Sequence, residues 1–237
     1  EVGLVTIGYK EHLEVPAQEV RSLPGGHDIR GNEKEAFDEA QAREALESLR
    51  GKVDALAISS YLSVRNPEHE LKLQRLAKEI LGLPVVCAHH LTRSLGVHER
   101  SVTAILNARL LPIIDELIFC VKLSLAEKGV SPPIMIVKGD GSLMGESQAK
   151  ERPIETILSG PAASIIGANF LARERNGMVL DMGGTTSDLA VLKNGMPKLN
   201  KEGARVGGWL TRVEAAEIDT YGLGGDSYIQ KDSEGNF

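Results

Sequence analysis

Asp181 and Asp188 bracket the six residues Met-Gly-Gly-Thr-Thr-Ser within MVLDMGGTTSDLAVLKNG, residues 178 to 195. Reversing a chain needs only Asn-Gly or Asp-Gly, so these residue types suggest chemistry beyond turning. Consecutive glycines, Gly183 and Gly184, let successive backbone N–H groups converge on an anion. The hydroxyls of Thr185, Thr186 and Ser187 suit phosphate oxygens. Carboxylates at both mouths would repel a bare phosphate. They make sense if Mg²⁺ lies between them and the phosphates, or if one of them orients a water. Asp181 and Asp188 are therefore the candidate catalytic and metal-binding residues, with Gly183, Gly184, Thr185 and Thr186 as candidate phosphate contacts. No GxxxxGK[ST] occurs in the chain, and this loop joins two strands rather than opening a helix, unlike a dinucleotide fingerprint. A decorated hairpin without function would read the same way, and spacing alone leaves both readings open.

The flanking elements must position that turn. Before it, helical and strand-like stretches alternate: a helix over 33–50 with Asn32 as N-cap, a strand over 53–59, and a helix opened by Asn66-Pro67 and closed by Gly82. A strand over 84–89, a long helix from about Glu99 to Lys128 with a break expected at Pro112, and a strand over 133–141 follow. This alternation predicts an α/β fold with a parallel sheet and right-handed crossovers. Residues 1–30 read as one strand and then turns. Beyond Ser159 a helix rich in small residues precedes closely spaced strands, consistent with a meander of hairpins, and a glycine-rich loop containing Gly222, Gly224 and Gly225 leads into a final strand. A boundary near residue 155 gives domains 1–155 and 156–237. The second has too few elements for an independent core and reads as part of a longer chain.

Composition narrows the function. The 237 residues carry a net charge of −6 and 4% aromatics, which argues against a phosphate-backbone footprint and against base-stacking platforms. No apolar run reaches the ~20 residues of a membrane span. Cys87 and Cys120 lie in apolar stretches and read as small buried hydrophobes of a reducing, cytoplasmic protein. His89 and His90 on one strand would point to opposite faces and could not share a metal. Glu99, at the start of the long helix, reads as a dipole-favoured acid in a salt bridge or as a substrate contact. Asp140, in a glycine-flanked turn, sits where α/β ligand sites form.

LDMGGTTSDLAVLKNG resembles the phosphate-binding hairpin of the actin, sugar-kinase and Hsp70 superfamily, and in particular the DMGGTSTD of the hydantoinase A and 5-oxoprolinase family. Further segments resemble that family in the same order: ISSYLSVRNPEHE, HERSVTAILNARLLP, GDGSLMG, ERPIETILSGPAASIIGA and EIDTYGLGGDS. The resemblance implies ribonuclease-H-like, actin-like ATPase lobes with mixed sheets, the second lobe incomplete. It also implies ATP and Mg²⁺ as cofactors. On that pattern Gly183, Gly184 and Thr185 cradle phosphates with Thr186 nearby, Asp181 and Asp188 position Mg²⁺, and Gly222, Gly224 and Gly225 approach nucleotide or substrate. The implied reaction is ATP-dependent opening of a cyclic amide, of hydantoin or 5-oxoproline type, by carbonyl phosphorylation. The alternatives are a ketone carboxylase subunit or a non-catalytic nucleotide-binding module. The implied partner is a hydantoinase B-like subunit, with a homo-oligomer also possible.

Departures from the pattern matter too. The family's first acidic Gly-Gly-Thr hairpin is not found in this chain, and Asp226 replaces a glycine in GLGGDS. The expectation is that this polypeptide alone has little or no catalysis.

Overall fold

The computed structural model describes residues 1–9, 11–231 and 233–235. Along the chain run β1 (Val2–Ile7), β2 (Glu19–Leu23), α1 (Glu39–Glu47), β3 (Ala55–Ser60), α2 (Glu68–Leu81), β4 (Val85–Cys87), α3 (Ala88–Leu91) and α4 (Val97–Glu127). Then come β5 (Met135–Val137), β6 (Leu143–Gly145), α5 (Glu146–Glu151), a 3₁₀ turn at Pro153–Thr156, α6 (Ser159–Ala172), β7 (Gly177–Met182) and β8 (Ser187–Lys193). Short strands complete it: β9 (Met196–Pro197), β10 (Leu199–Asn200), β11 (Arg205–Val206), β12 (Trp209–Leu210), β13 (Ala215–Ala216) and β14 (Ile218–Tyr221). The chain divides into two compact units, and not by a single cut. The first comprises Glu1–Ile134, Gly145–Glu155 and Glu202–Val213; the second comprises Met135–Met144, Thr156–Lys201 and Glu214–Phe237.

The first unit is built on a parallel sheet of order β2-β1-β3-β4. Every residue of β1 and β3 is buried, as expected of central strands covered on both faces. Val5, Ile7, Leu56 and Ile58 meet Leu46 of α1, Leu49 just after it and Leu73 of α2 in one core. Strand alternation turns Leu4, Ala55 and Ala57 to the other face, where α4 packs across β1 and β3.

Several elements differ from the sequence expectation. β2 lies where only turns were expected: Glu19–Ser22 alternates half-exposed and exposed residues at the sheet edge and Leu23 alone is buried, so it lacks a buried strand's continuous apolar run. α1 starts at Glu39 because Asp38 caps it, its carboxylate accepting from Gln41 N at 3.0 Å. The backbone N–H of Asn32, the expected cap, instead donates to Asp28 Oδ1 in a turn at 2.9 Å. α2 ends as expected at Gly82, left-handed at φ 66°, but starts at Glu68 with Pro67 rather than Asn66 in the cap position; Asn66 Oδ1 still accepts from Glu68 N. α4 runs unbroken through Pro112. β4 stops at Cys87, so His89 and His90 lie in the short helix α3 rather than on a strand. Cys87 is buried but Cys120 is exposed; the apolar stretch around Cys120 belongs to the second half of α4, which also exposes Ile113, Leu117 and Phe119.

The second unit holds a sheet of order β14-β8-β7, with β9 also on β8. β7 and β8 form the antiparallel hairpin expected around the Gly-Gly-Thr turn. One face of this sheet packs Val179, Ala190, Leu192 and Ile218 against Ala162 and Ile165 of α6. The other small residues opening α6, Gly160, Ala163 and Ser164, are exposed, and the helix packs through Ala162 and Ile165. The strand near residue 135, expected beside the parallel strands, pairs with β6 inside this unit. Among the described residues no strand follows the glycine-rich loop; β14 precedes it.

Candidate functional site

The hairpin register places Asp181 directly opposite Asp188, and Asp188 opposite Thr220 of β14. This polar row lies one side-chain repeat beyond the apolar row Val179–Ala190–Ile218, on the face packed against α6. Thr220 Oγ1 donates to Asp188 Oδ1 at 2.6 Å, fixing one carboxylate. Like charges directly across an antiparallel pair repel.

Beyond the carboxylates the turn closes on itself. Gly183 N donates to Thr186 O at 2.9 Å, so the Gly183 N–H is committed within the turn. The second glycine loop then docks on the first. Gly225 N donates to Gly183 O, and Asp226 N to Gly184 O, both at 2.8 Å. Ser187 Oγ donates to Leu223 O at 2.6 Å. Ser227 Oγ accepts from Gly224 N at 2.9 Å. Contact is close enough to require glycine: a Cβ on Gly224 would stand 2.5 Å from Gly184 C and 2.6 Å from Thr185 N. A Cβ on Gly184 would come within 2.7 Å of Asp226 Oδ2. Gly222 stands apart, with open space where its Cβ would be.

The structure thus brings Asp181, Asp188, Gly183, Gly184, Thr185, Thr186, Gly224 and Gly225 into one locality and leaves Gly222 outside the contact. Sequence reasoning passed over Thr220, which the alternation of EIDTY would have placed on the core-facing side. It singled out Asp226 only as a departure, whereas the carboxylate sits against the glycine nest. A magnesium-bound phosphate suits the residue types present: two facing carboxylates, one held by the Thr220 hydroxyl, beside a turn of glycines and threonines.

Asp140 is occupied locally. Its Oδ1 accepts from Ser142 N and Oγ, and Lys138 Nζ is 3.2 Å from its Oδ2. Burial raises its pKa, but the Ser142 hydrogen bonds and Lys138 outweigh that and hold it below the usual carboxylate value. Glu99 pairs with Arg212 at 3.4 Å, and Arg212 N donates to Thr103 Oγ1, so Glu99 helps fasten the 202–213 segment onto α4.

A second polar cluster, in the first unit, escaped the sequence reading. Glu70 is fully buried on α2. Its Oε1 accepts from Ser60 N at 2.7 Å and from the Arg100 guanidinium at 3.3 Å. Its Oε2 accepts from His89 N at 3.1 Å and pairs with His89 Nδ1 at 2.5 Å. Burial opposes its ionisation, yet hydrogen bonds from His89, Ser63 and Ser60 and the Arg100 charge hold the carboxyl below its ordinary value. Neighbouring His69 accepts from Gly26 N through Nδ1 and pairs with Glu33 through Nε2. The available signal was His69-Glu70 falling on the buried stripe of α2 with Leu73, Leu76 and Ala77. Glu70, Cys87 and His89 bring donor atoms within 4.8 Å of one another. Their chemistry does not suit a metal: burial, then Glu70, push the Cys87 thiol far up, and both Glu70 oxygens are already taken.

The fold is α/β of the actin-like ATPase type, but the expected mixed sheets resolve into a wholly parallel sheet in the first unit and an antiparallel one around the hairpin in the second. The Hydantoinase/oxoprolinase family model matches residues 100–237, and the Hydantoinase/oxoprolinase N-terminal region matches residues 5–81. The chain belongs to the hydantoinase/oxoprolinase family. It is 29% identical over 233 residues to the caprolactamase subunit alpha of Pseudomonas jessenii, covering 94% of this chain and 33% of that protein. It is 25% identical to 5-oxoprolinase 1 of Arabidopsis thaliana, covering 94% of this chain and 18% of that protein. It is 26% identical to the acetophenone carboxylase gamma subunit of Aromatoleum aromaticum, covering 88% and 30%. The crystal structure of ATP-dependent caprolactamase from Pseudomonas jessenii superposes with a TM-score of 0.81 at 26% identity, over 98% of this chain and 38% of that one. The chain thus spans about a third or less of the curated relatives compared here. No described helix is long and apolar enough to cross a membrane.

Proposed function

We propose that the 181–188 hairpin, locked by the 222–227 loop, holds the phosphates of Mg²⁺-bound ATP for an ATP-dependent enzyme acting on a cyclic amide. The carrying observation is the pairing of Asp181 with Asp188 across the strands, beside two glycine loops whose backbones touch. ATP would supply the phosphoryl group that activates a ring carbonyl oxygen, so that water can open an otherwise inert amide. Asp181 and Asp188 hold the cation or its waters. Thr220 orients Asp188. Gly184, Thr185 and Thr186 face the phosphates, while Gly183, Gly224 and Gly225 keep the nest in shape. The named activities of the relatives, caprolactamase and 5-oxoprolinase, support the amide reading.

The protein works in the cytoplasm with a hydantoinase B-like subunit. Relatives that are subunits by name and the exposed apolar residues of α4 support a partner. The 237-residue chain alone is expected to turn over little or no ATP.

The test is ADP release by the full-length protein with its B-like subunit, across lactams, hydantoins and 5-oxoproline. Stimulation by a cyclic amide is expected, reduced at least ~100-fold in Asp181→Asn, the scale of a lost transition-state charge contact. No stimulation by any cyclic amide would overturn the reading. A carboxylase is favoured instead, as the acetophenone carboxylase relative suggests, if ketones stimulate only with bicarbonate. Mg·ATP binding without stimulation by any of these would leave a nucleotide-binding module.

A further inference from the structure

The parallel sheet of the first unit has a topological switch point. From β1 the chain passes to β2 on one side, and β3 and β4 lie on the other. Ligands of open α/β sheets bind outside the carboxyl ends of the strands at such a point. Beside that point, beyond the ends of β2, β3 and β4, lies a cleft of about 370 Å³, within the range of small-molecule sites. Its walls come from segments that follow strand ends: Ile29 after β2, Leu62 and Arg65 after β3, and Leu95, Val97 and Arg100 beyond β4.

Arg100 distinguishes this cleft from a fold irregularity. It is 1% exposed, yet its Nε–H has no partner among the described residues. One arm of the guanidinium is fixed, the two hydrogens of its Nη2 shared among Ser60 O, Ser63 Oγ and Glu70 Oε1. Glu70 is itself held on both oxygens, so the planar group cannot turn to satisfy Nε. A buried donor left unmade is costly. In the same wall Leu62 adopts φ +53°, a left-handed conformation disfavoured for a leucine and often retained at ligand sites. Glu70 already balances the Arg100 charge, and Arg65 adds a second cation to the lining.

We propose that this cleft binds a small organic monocarboxylate, its carboxylate on Arg100 with Arg65 nearby and its apolar body against Leu62, Leu95 and Val97. A guanidinium edge matches a planar carboxylate. Apolar walls do not suit a phosphate's remaining oxygens. The neighbouring glycine loop is a poorer anion cradle, because the Gly8 and Gly26 N–H groups are committed to Leu23 O and His69 Nδ1. The proposal concerns the first unit alone and does not depend on the nucleotide reading.

Titration of the full-length protein with hexanoate, without nucleotide, followed by calorimetry and saturation-transfer NMR, tests it. Saturable binding is expected, with hexanamide and inorganic phosphate failing to compete. Arg100→Lys should weaken binding at least ~10-fold, through loss of the planar fork. Because that variant disturbs a buried ion pair, two exposed changes serve beside it. Arg65→Gln should weaken binding several-fold, and Leu95→Asp should abolish it, with unfolding temperatures unchanged. No saturable hexanoate binding, equal binding of hexanamide, or indifference to all three variants would overturn the proposal.

Discussion

Glu70 in the first unit and Asp181 with Asp188 in the second show two ways for a chain to hold negative charge. Glu70 is fully buried and every oxygen is answered by a donor from a distant part of the sequence: Ser60, His89 and Arg100. Asp181 and Asp188 lie seven residues apart on adjoining strands, at least partly open to solvent, with Thr220 on one of them. The first arrangement leaves neither Glu70 oxygen free and ties β3 to α2 and α3. The second keeps two carboxylates facing each other across the strands with no cationic side chain paired to either among the described residues. A satisfied charge reads as architecture, and an unsatisfied pair reads as a binding site.

The contrast can be broken by mutation, most severely at Glu70. Glu70→Ala strands the Arg100 charge in the interior and is expected to cost about 3–5 kcal/mol, read by denaturant unfolding of the full-length protein. Glu70→Gln should cost less, since an amide oxygen still accepts from Ser60 N. The pH dependence follows in sign. The folded pKa of Glu70 is depressed, so its contribution is complete above the unfolded carboxylate value of about 4.3 and is lost as pH falls through the folded value. Wild-type stability should fall below about pH 4, and Glu70→Gln should flatten that part of the profile.

A smaller effect is expected at the glycine interlock. Gly224→Ala forces the two loops apart and should cost about 1–3 kcal/mol, as overpacking does, with at least ~10-fold weaker Mg·ATP binding. Unchanged nucleotide affinity would show that the loop contact does not shape the nest. The smallest change in stability, with opposite sign, belongs to Asp181→Asn. Removing one of two facing carboxylates should raise nucleotide-free stability by about 0.2–1 kcal/mol, while eliminating the stabilisation that Mg·ATP gives in thermal unfolding. A destabilised Asp181→Asn protein would mean that the pair is a structural element like Glu70.

Much of the second unit's chemistry was legible because it is local. Gly183, Gly184, Thr185 and Thr186 lie in one turn, and a hairpin turn joins its own flanks. The docking of Gly224 and Gly225 on that turn spans about 40 residues and left no periodic trace. In the first unit β1, β3 and β4 could be read from apolar runs and α2 from its caps. β2 could not, because an edge strand with alternating exposure looks like a loop. The α1 start was misplaced because two side chains suited to capping, Asn32 and Asp38, compete and only the turn at Asp28 decides between them. Cys120 was misjudged because an apolar stretch shows hydrophobicity without showing what covers it.

The sequence by itself determined the alternation of helices and strands, the acidic glycine-threonine hairpin and its family, since these depend on residue types within a few positions of each other. Tertiary structure decided the assignment of residues 135–144 and 202–213 to their units, the burial of Glu70 against Arg100 and His89, and the contact between the glycine loops. Those depend on which distant segments meet once apolar faces are buried, and hydrophobic burial is nondirectional. It fixes that such faces meet. Backbone geometry, strand register and hydrogen-bond satisfaction then fix which polar groups meet with them.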